Sequence, residues 1–295
     1  MNFLFYLAAG LLAFVPSALA LSPMIFASHD VIKVLAAAIA PVVYSISFSM
    51  VAGGLSLIGQ RAIVPGKFPR DKSHPVYGPR RIFGFCWTAI YYFKPLYWFM
   101  LQIPILKKIL FRSFGYRGSM NFTVYPDTWI RDLPILELGA GCYLANRATI
   151  GTNICLTDGS ILVDRVKIGE KALVGHLSMV APGSKLLDGA ELGGGCAVGI
   201  RARMLEGSKV KPSASINHGA VIGQDCDVGA HTYIGLRTIL RSKITVPEGS
   251  VVPSGMVFNT QDELDACLDE GTSNLKEQVQ RLTSADMVAS VLNAS

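Results

Sequence analysis

No charged side chain occurs from Met1 to Ser28, nor from Val34 to Gln60. Charge-free runs of that length exclude amphipathic surface helices, and each meets the roughly 20 apolar residues that a membrane span requires. The break between them is short and polar, with His29, Asp30 and Lys33. Nucleic-acid signatures are also missing. Neither an arginine-rich run nor an RNP-like aromatic motif occurs, so the net charge of +6 does not point to a nucleic-acid partner. Of six cysteines, Cys86, Cys155 and Cys267 lack metal-ligand spacing, which argues against a zinc site and for free thiols in a reducing compartment.

The positive charge has a place of its own. Arg61, Lys67, Arg70, Lys72, Arg80 and Arg81 follow the second apolar run, opposed there only by Asp71. The positive-inside rule puts this segment at the cytoplasmic face of a bacterial-type inner membrane, with both chain ends on that side and anionic membrane lipid as its partner. A cleaved secretory signal is the rival for the first run, since Ala18, Leu19 and Ala20 offer a cleavage site, but the n-region has no Lys or Arg. From Ile82 to Phe111 there are ten aromatics. Trp and Tyr favour the headgroup level, which predicts an interfacial helix pair; a buried helical collar is the alternative.

From Leu138 to Val252 every sixth residue is aliphatic, Met204 included, twenty positions in succession. Two residues before each of the last nineteen stands a small or β-branched residue, among them Cys142, Cys196 and Cys226, and neither set contains a charge. Residues two apart on a strand share a face, so each hexad sends one small and one bulky side chain inward. A period of six makes no stripe on a 3.6-residue helix. The pattern is that of a parallel β-helix with about eighteen residues per coil and about six to seven coils. Nine of the aliphatic positions are followed by glycine, which predicts corners with positive φ. The unbroken phase predicts no inserted loop.

These readings divide the chain into two transmembrane helices (1–60), a basic and aromatic juxtamembrane segment (61–131), the β-helix (132–257) and a helical tail (258–295). Thr260 to Glu263 has capping-box spacing, Gly271 suits a helix stop, and a second tail helix is expected over 275–292.

The order Leu55 to Arg61, Val64 to Pro69, Arg80–Arg81, Phe114–Gly115 and Asp132 to Gly139, followed by the hexads, resembles the membrane-plus-β-helix units of peptide synthetases related to ε-poly-L-lysine synthetase. It also resembles freestanding hexapeptide-repeat acyltransferases of that group. The run Asp164 to Gly169, then Val174 to His176 and Ala181 to Gly183, carries much of the likeness. The resemblance implies a left-handed coil, a homotrimer, and acyl transfer from acyl-CoA or acyl carrier protein to a small-molecule or lipid-linked acceptor. It further implies a histidine general base, whose imidazole titrates near neutrality.

His176, His218 and His231 are the candidates, in that order. His176 and His231 fall on one corner three coils apart, roughly 14 Å at the usual strand spacing, so no metal is expected between them. Asp164 lies on another face from His176 and is expected to reach it only across a subunit boundary. Arg201, Arg203, Lys211, Arg237 and Arg241 are candidates for the phosphates of coenzyme A, or else solvated strand positions. A non-enzymatic scaffold holding a synthetase at the membrane is the competing function, favoured by the expected lack of a loop.

Overall fold

The computed structural model describes residues 2–271. The tail helix expected over 275–292 lies outside the described residues. Two helices, α1 (Asn2–Phe26) and α2 (Asp30–Gln60), take up the charge-free runs, and both are long and apolar enough to cross a membrane. Pro41 and three glycines do not interrupt α2.

The hexads fold as three parallel sheets of seven strands each, which makes seven coils. The first face runs from Phe122–Val124 to Thr245–Val246, the second from Trp129–Ile130 to Val251–Val252, and the third from Leu136–Leu138 to Val257–Phe258. Coiling therefore begins at Phe122, before the expected boundary at 132. The expected inward residues fill the prism: Val174, Leu192, Val228 and Ile234 are fully buried, as are the small partners Ala172, Ala190 and Ala220. Several of the small residues carry a hydroxyl that donates to a corner carbonyl of the next coil, while Ser208 donates to Leu205 of its own. Ser178 reaches Gly193 at 2.6 Å and Ser184 reaches Gly199 at 2.8 Å, so these buried polar groups are satisfied.

One coil is larger than the rest. Strand partners are normally eighteen residues apart, as for Glu191 with Lys209 and Lys209 with Asp227. Tyr143 pairs with Leu173, Thr149 with Met179 and Glu137 with Lys167, each thirty apart. Twelve residues thus leave the prism. They form an antiparallel hairpin of Asn153–Cys155 and Ser160–Val163, against which strand Gly66–Pro69 lies as a third strand. The expectation of an uninterrupted repeat is corrected here. Leu156 and Leu162 belong to the hairpin, and Ile154 is 40% exposed. Twelve is two hexads, so the aliphatic phase passes through the insertion unchanged.

The glycine expectation is corrected too. None of the nine glycines after aliphatic positions has positive φ; that conformation falls two residues later, at residues such as Leu177, Arg201, His231 and Arg237. The nine lie where coils touch. A Cβ on Gly175 would stand 2.5 Å from the backbone of Gly193.

The aromatic segment forms three helices rather than two: α3 (Tyr77–Tyr92), α4 (Lys94–Gln102) and α5 (Pro104–Ser113). Phe83, Trp87, Tyr97, Phe111 and Phe114 are fully buried against one another, α2 and the first coil. Their neighbours also serve the open end of the prism. Trp87 Nε1 donates to the Ile130 carbonyl at 2.6 Å, Lys94 Nζ to Pro126 at 2.8 Å, and the Tyr116 hydroxyl to Leu138 at 3.2 Å. These contacts occupy edge carbonyls that would otherwise invite another strand.

A buried ion pair between Arg80 and Asp132 joins α3 to the first coil, and Asp132 also accepts from Thr152 Oγ1 at 2.6 Å and Asn153 Nδ2 at 2.8 Å. At the other end a helix starts at residue 261. Thr260 Oγ1 accepts the Glu263 N–H, Leu264 is fully buried, and the Gln261 amide pairs with the backbone of Thr245. Residue 271, the last described, is helical.

Candidate active site

Each corner consists of three turn residues after the buried aliphatic one. The corner between the second and third faces stacks Asp164, Gly183, Arg201, His218 and Arg237 from the second coil to the sixth. Arg201 Nε donates to Asp164 Oδ2 at 3.0 Å, and the Arg165 N–H donates to Asp164 Oδ1 at 2.8 Å. This bridge spans two coils over Gly183, where a Cβ would lie 2.5 Å from Arg201 Cγ. Asp164 is therefore already engaged on its own corner.

His218 is exposed, but its ring is fixed. Nδ1 accepts the backbone N–H of Ile200 at 2.9 Å. A neutral imidazole that accepts at Nδ1 carries its proton on Nε2, so the outward nitrogen is a donor. In this arrangement His218 can polarise a carbonyl oxygen but has no lone pair with which to take a proton.

His176 and His231 share the corner between the first and second faces, in the third and sixth coils. Both are exposed, and neither side chain has a hydrogen-bond partner within the described residues. His231 occupies the left-handed turn position with φ 55°. Between them the fourth coil turns through Gly193, Gly194 and Gly195, which leaves the edge on that side of His176 without side chains; Asn146 of the second coil stands on the other side. His176 thus keeps an open ring and an open approach.

The five basic candidates do not converge. Arg201 and Arg237 stand on the His218 corner, Arg203 on the third face, Lys211 on the His176 corner and Arg241 on the remaining one. Arg201 is paired with Asp164, and Lys211 with Asp227 at 3.3 Å. A single phosphate site built from all five is excluded by their distribution over all three corners and a face.

A cavity lies elsewhere, at the junction of α2 and the β-helix. It encloses about 1190 Å³ between the last turn of α2, the 115–118 turn and the first coils of the third face, and its cations are Arg61, Arg117, Arg165 and Lys167. None of the three histidines lines it. These cations come from three distant stretches with no common period; Arg61 closes a charge-free run and Arg165 and Lys167 lie in the Asp164 to Gly169 run, while Arg117 carries no sequence signal.

No protein-family model and no curated protein matches the chain. Solved structures do. A variant of GDP-perosamine N-acetyltransferase from Caulobacter crescentus, in complex with CoA and GDP-perosamine, is 15% identical with a TM-score of 0.27, over 50% of this chain and 59% of its own. The acetyltransferase domain of PglB from Neisseria gonorrhoeae is 16% identical with a TM-score of 0.29, over 50% and 62%. AntD, an N-acyltransferase from Bacillus cereus in complex with dTDP and 3-hydroxybutyryl-CoA, is 12% identical with a TM-score of 0.22, over 58% and 95%. This chain spans less than two thirds of the length of the first two, and its own α1–α5 segment precedes the β-helix.

Proposed function

We propose that this protein is a membrane-anchored acyltransferase. It moves an acyl group from a thioester, acyl-CoA or acyl carrier protein, to a hydroxyl or amine of a sugar, peptide or lipid-linked acceptor at the cytoplasmic face. The observation that carries this reading is the hairpin at 153–163, extruded from a single coil and braced by Gly66–Pro69. A scaffold of stacked coils needs no such interruption, and the hairpin leads directly into the Asp164 to Gly183 run that resembles hexapeptide-repeat acyltransferases.

His176 is the general base in this scheme. Its free ring nitrogen takes the proton of the acceptor as that atom attacks the thioester carbonyl, and the tetrahedral intermediate collapses with loss of the thiol. Anchoring is supported by large apolar side chains turned outward along α1 and α2, including Phe14, Phe26, Val31 and Leu35. A trimer would complete the site, because among the described residues the His176 side chain has no hydrogen-bond partner.

The test uses the full chain in detergent with acetyl-CoA, reading ligand protection and release of thiol in the presence of amino-sugar acceptors. Wild type is expected to bind and turn over, while His176→Ala stays folded and loses turnover by about 10²- to 10⁴-fold. Turnover retained in His176→Ala but lost in His231→Ala would move the base. Neither binding nor turnover in wild type would favour the scaffold.

A further inference from the structure

The 1190 Å³ cavity is built at the place where α2 ends. Arg61 caps that helix, and Leu57 and Ile58 in its last turn are 61% and 51% exposed, forming an apolar lip. Arg117 faces it from a turn that is clamped on both sides, since Arg112 donates to the Tyr116 carbonyl at 2.8 Å and to the Gly118 carbonyl at 3.0 Å. Lys167 projects from the third face of the β-helix. Arg165 is taken by Glu137 at 3.4 Å, and Asp188 caps the Glu170 N–H at 2.8 Å. Among the described residues Arg61, Arg117 and Lys167 have no carboxylate partner, although Glu137, Glu170 and Asp188 also line the cavity.

We propose that this cavity binds the phosphate head of a lipid, with Arg61, Arg117 and Lys167 on the phosphate and the hydrocarbon chain leaving along Leu57 and Ile58. Planar guanidinium groups match phosphate oxygens in pairs, and three unpaired cations from separate elements form a convergent site rather than a solvated stripe. Glu170 remains for hydroxyl or amine groups on whatever the phosphate carries. The volume lies above the common range for small-ligand pockets, about 300–1,000 Å³, and leaves room for such a headgroup. The inference rests on the membrane-anchored reading and narrows its acceptor class to phosphate-linked amphiphiles.

Native mass spectrometry of the full chain in detergent tests this, with phosphatidic acid, phosphatidylcholine and inorganic phosphate as probes. Phosphatidic acid is expected to be retained at least tenfold over phosphatidylcholine, and Arg117→Ala/Lys167→Ala to abolish the preference. Arg70→Ala/Lys72→Ala removes the same charge from the basic segment outside the cavity and is expected to keep it. Equal loss in both double variants, or no preference in wild type, would overturn the proposal. Displacement of phosphatidic acid by millimolar inorganic phosphate would reassign the cavity to a free phosphate and overturn the lipid assignment. Acetyl-CoA protection measured on the same samples separates failure of this site from failure of the acyltransferase reading.

Discussion

Gly235 follows Ile234 at the end of a strand, and a Cβ built on it would stand 2.5 Å from the backbone nitrogen of Ser254 in the next coil. That contact is with backbone, so it is relieved only by separating coils. Lys243 sits three positions beyond Leu240 with φ 61°, a conformation costly to most residues but glycine. The expected outcome is that Gly235→Ala loses about 1–3 kcal/mol, whereas Lys243→Gly stays within about 1 kcal/mol of wild type; urea titration of both variants checks the contrast.

The thiols give a second residue-scale test. Burial pushes Cys86 from 9.0 up to about 12, against a backbone hydrogen bond, and pushes Cys142 from 9.0 up to about 11, against the nearby Lys107 ammonium. Both stay protonated when folded, while the unfolded chain releases these protons near 9.0. Above that pH the unfolded state binds fewer protons, so stability falls as pH rises from about 9 toward 11–12. Maleimide at pH 7.5 is expected to label exposed Cys155 rapidly and leave Cys86 and Cys142 untouched until denaturant is added. Rapid labelling of Cys142 would contradict its place in the prism.

At the scale of elements the hairpin is the decisive object. Removing residues 153–164 joins Thr152 to Arg165 and yields the hexad Gly151, Thr152, Arg165, Val166, Lys167, Ile168, which matches Gly199 to Met204 position by position. The coil should therefore close. The shortened protein is expected to keep its β-helix circular dichroism, to expose the 66–76 segment to protease because Gly66–Pro69 has lost its partner strand, and to lose acyl transfer. Collapse of the β signal would show that the hairpin is needed for folding rather than for the site.

The same deletion explains what could be read from the sequence. Inward positions such as Val174, Leu192 and Val228 were legible because a prism wall tolerates neither charge nor a change of phase. The hairpin was invisible because its length is a multiple of the repeat. Glycine was assigned to corners for the wrong reason, since close approach of coils and positive φ both select it and only coordinates separate them. Of the aromatics of α3–α5, Trp87 and Tyr91 place their polar atoms on carbonyls of the first coil, while Tyr92 and Trp98 are 67% and 55% exposed. The His218 tautomer and the Arg61, Arg117 and Lys167 cavity depend on which coils and helices become neighbours, and no local pattern encodes that.

For the whole molecule, the three faces of the prism are chemically unequal. Outward positions of the first face include Glu191, Lys209 and Asp227, and those of the third include Glu137, Lys167, Lys185 and Arg203. The second face presents Thr149, Met179, Ala197, Ser215, Tyr233 and Val251, none of them charged. Met179, Tyr233 and Val251 are 58%, 41% and 67% exposed, and Leu177 and Leu236 extend the patch onto both corners. A flat apolar sheet face of this kind is an association surface unless charge protects it. It adjoins the His176 corner, so a second copy docked there would stand beside the edge that the single chain leaves open. Under the trimeric reading, Met179→Glu/Tyr233→Glu is expected to shift the protein in detergent from trimer to monomer in analytical ultracentrifugation and to lower turnover together with assembly. Lys185→Glu/Arg203→Glu, a larger charge change on the third face, is expected to leave the assembly intact. If the first double variant remained fully assembled, the interface would have to lie on another face and His176 would be left in open solvent.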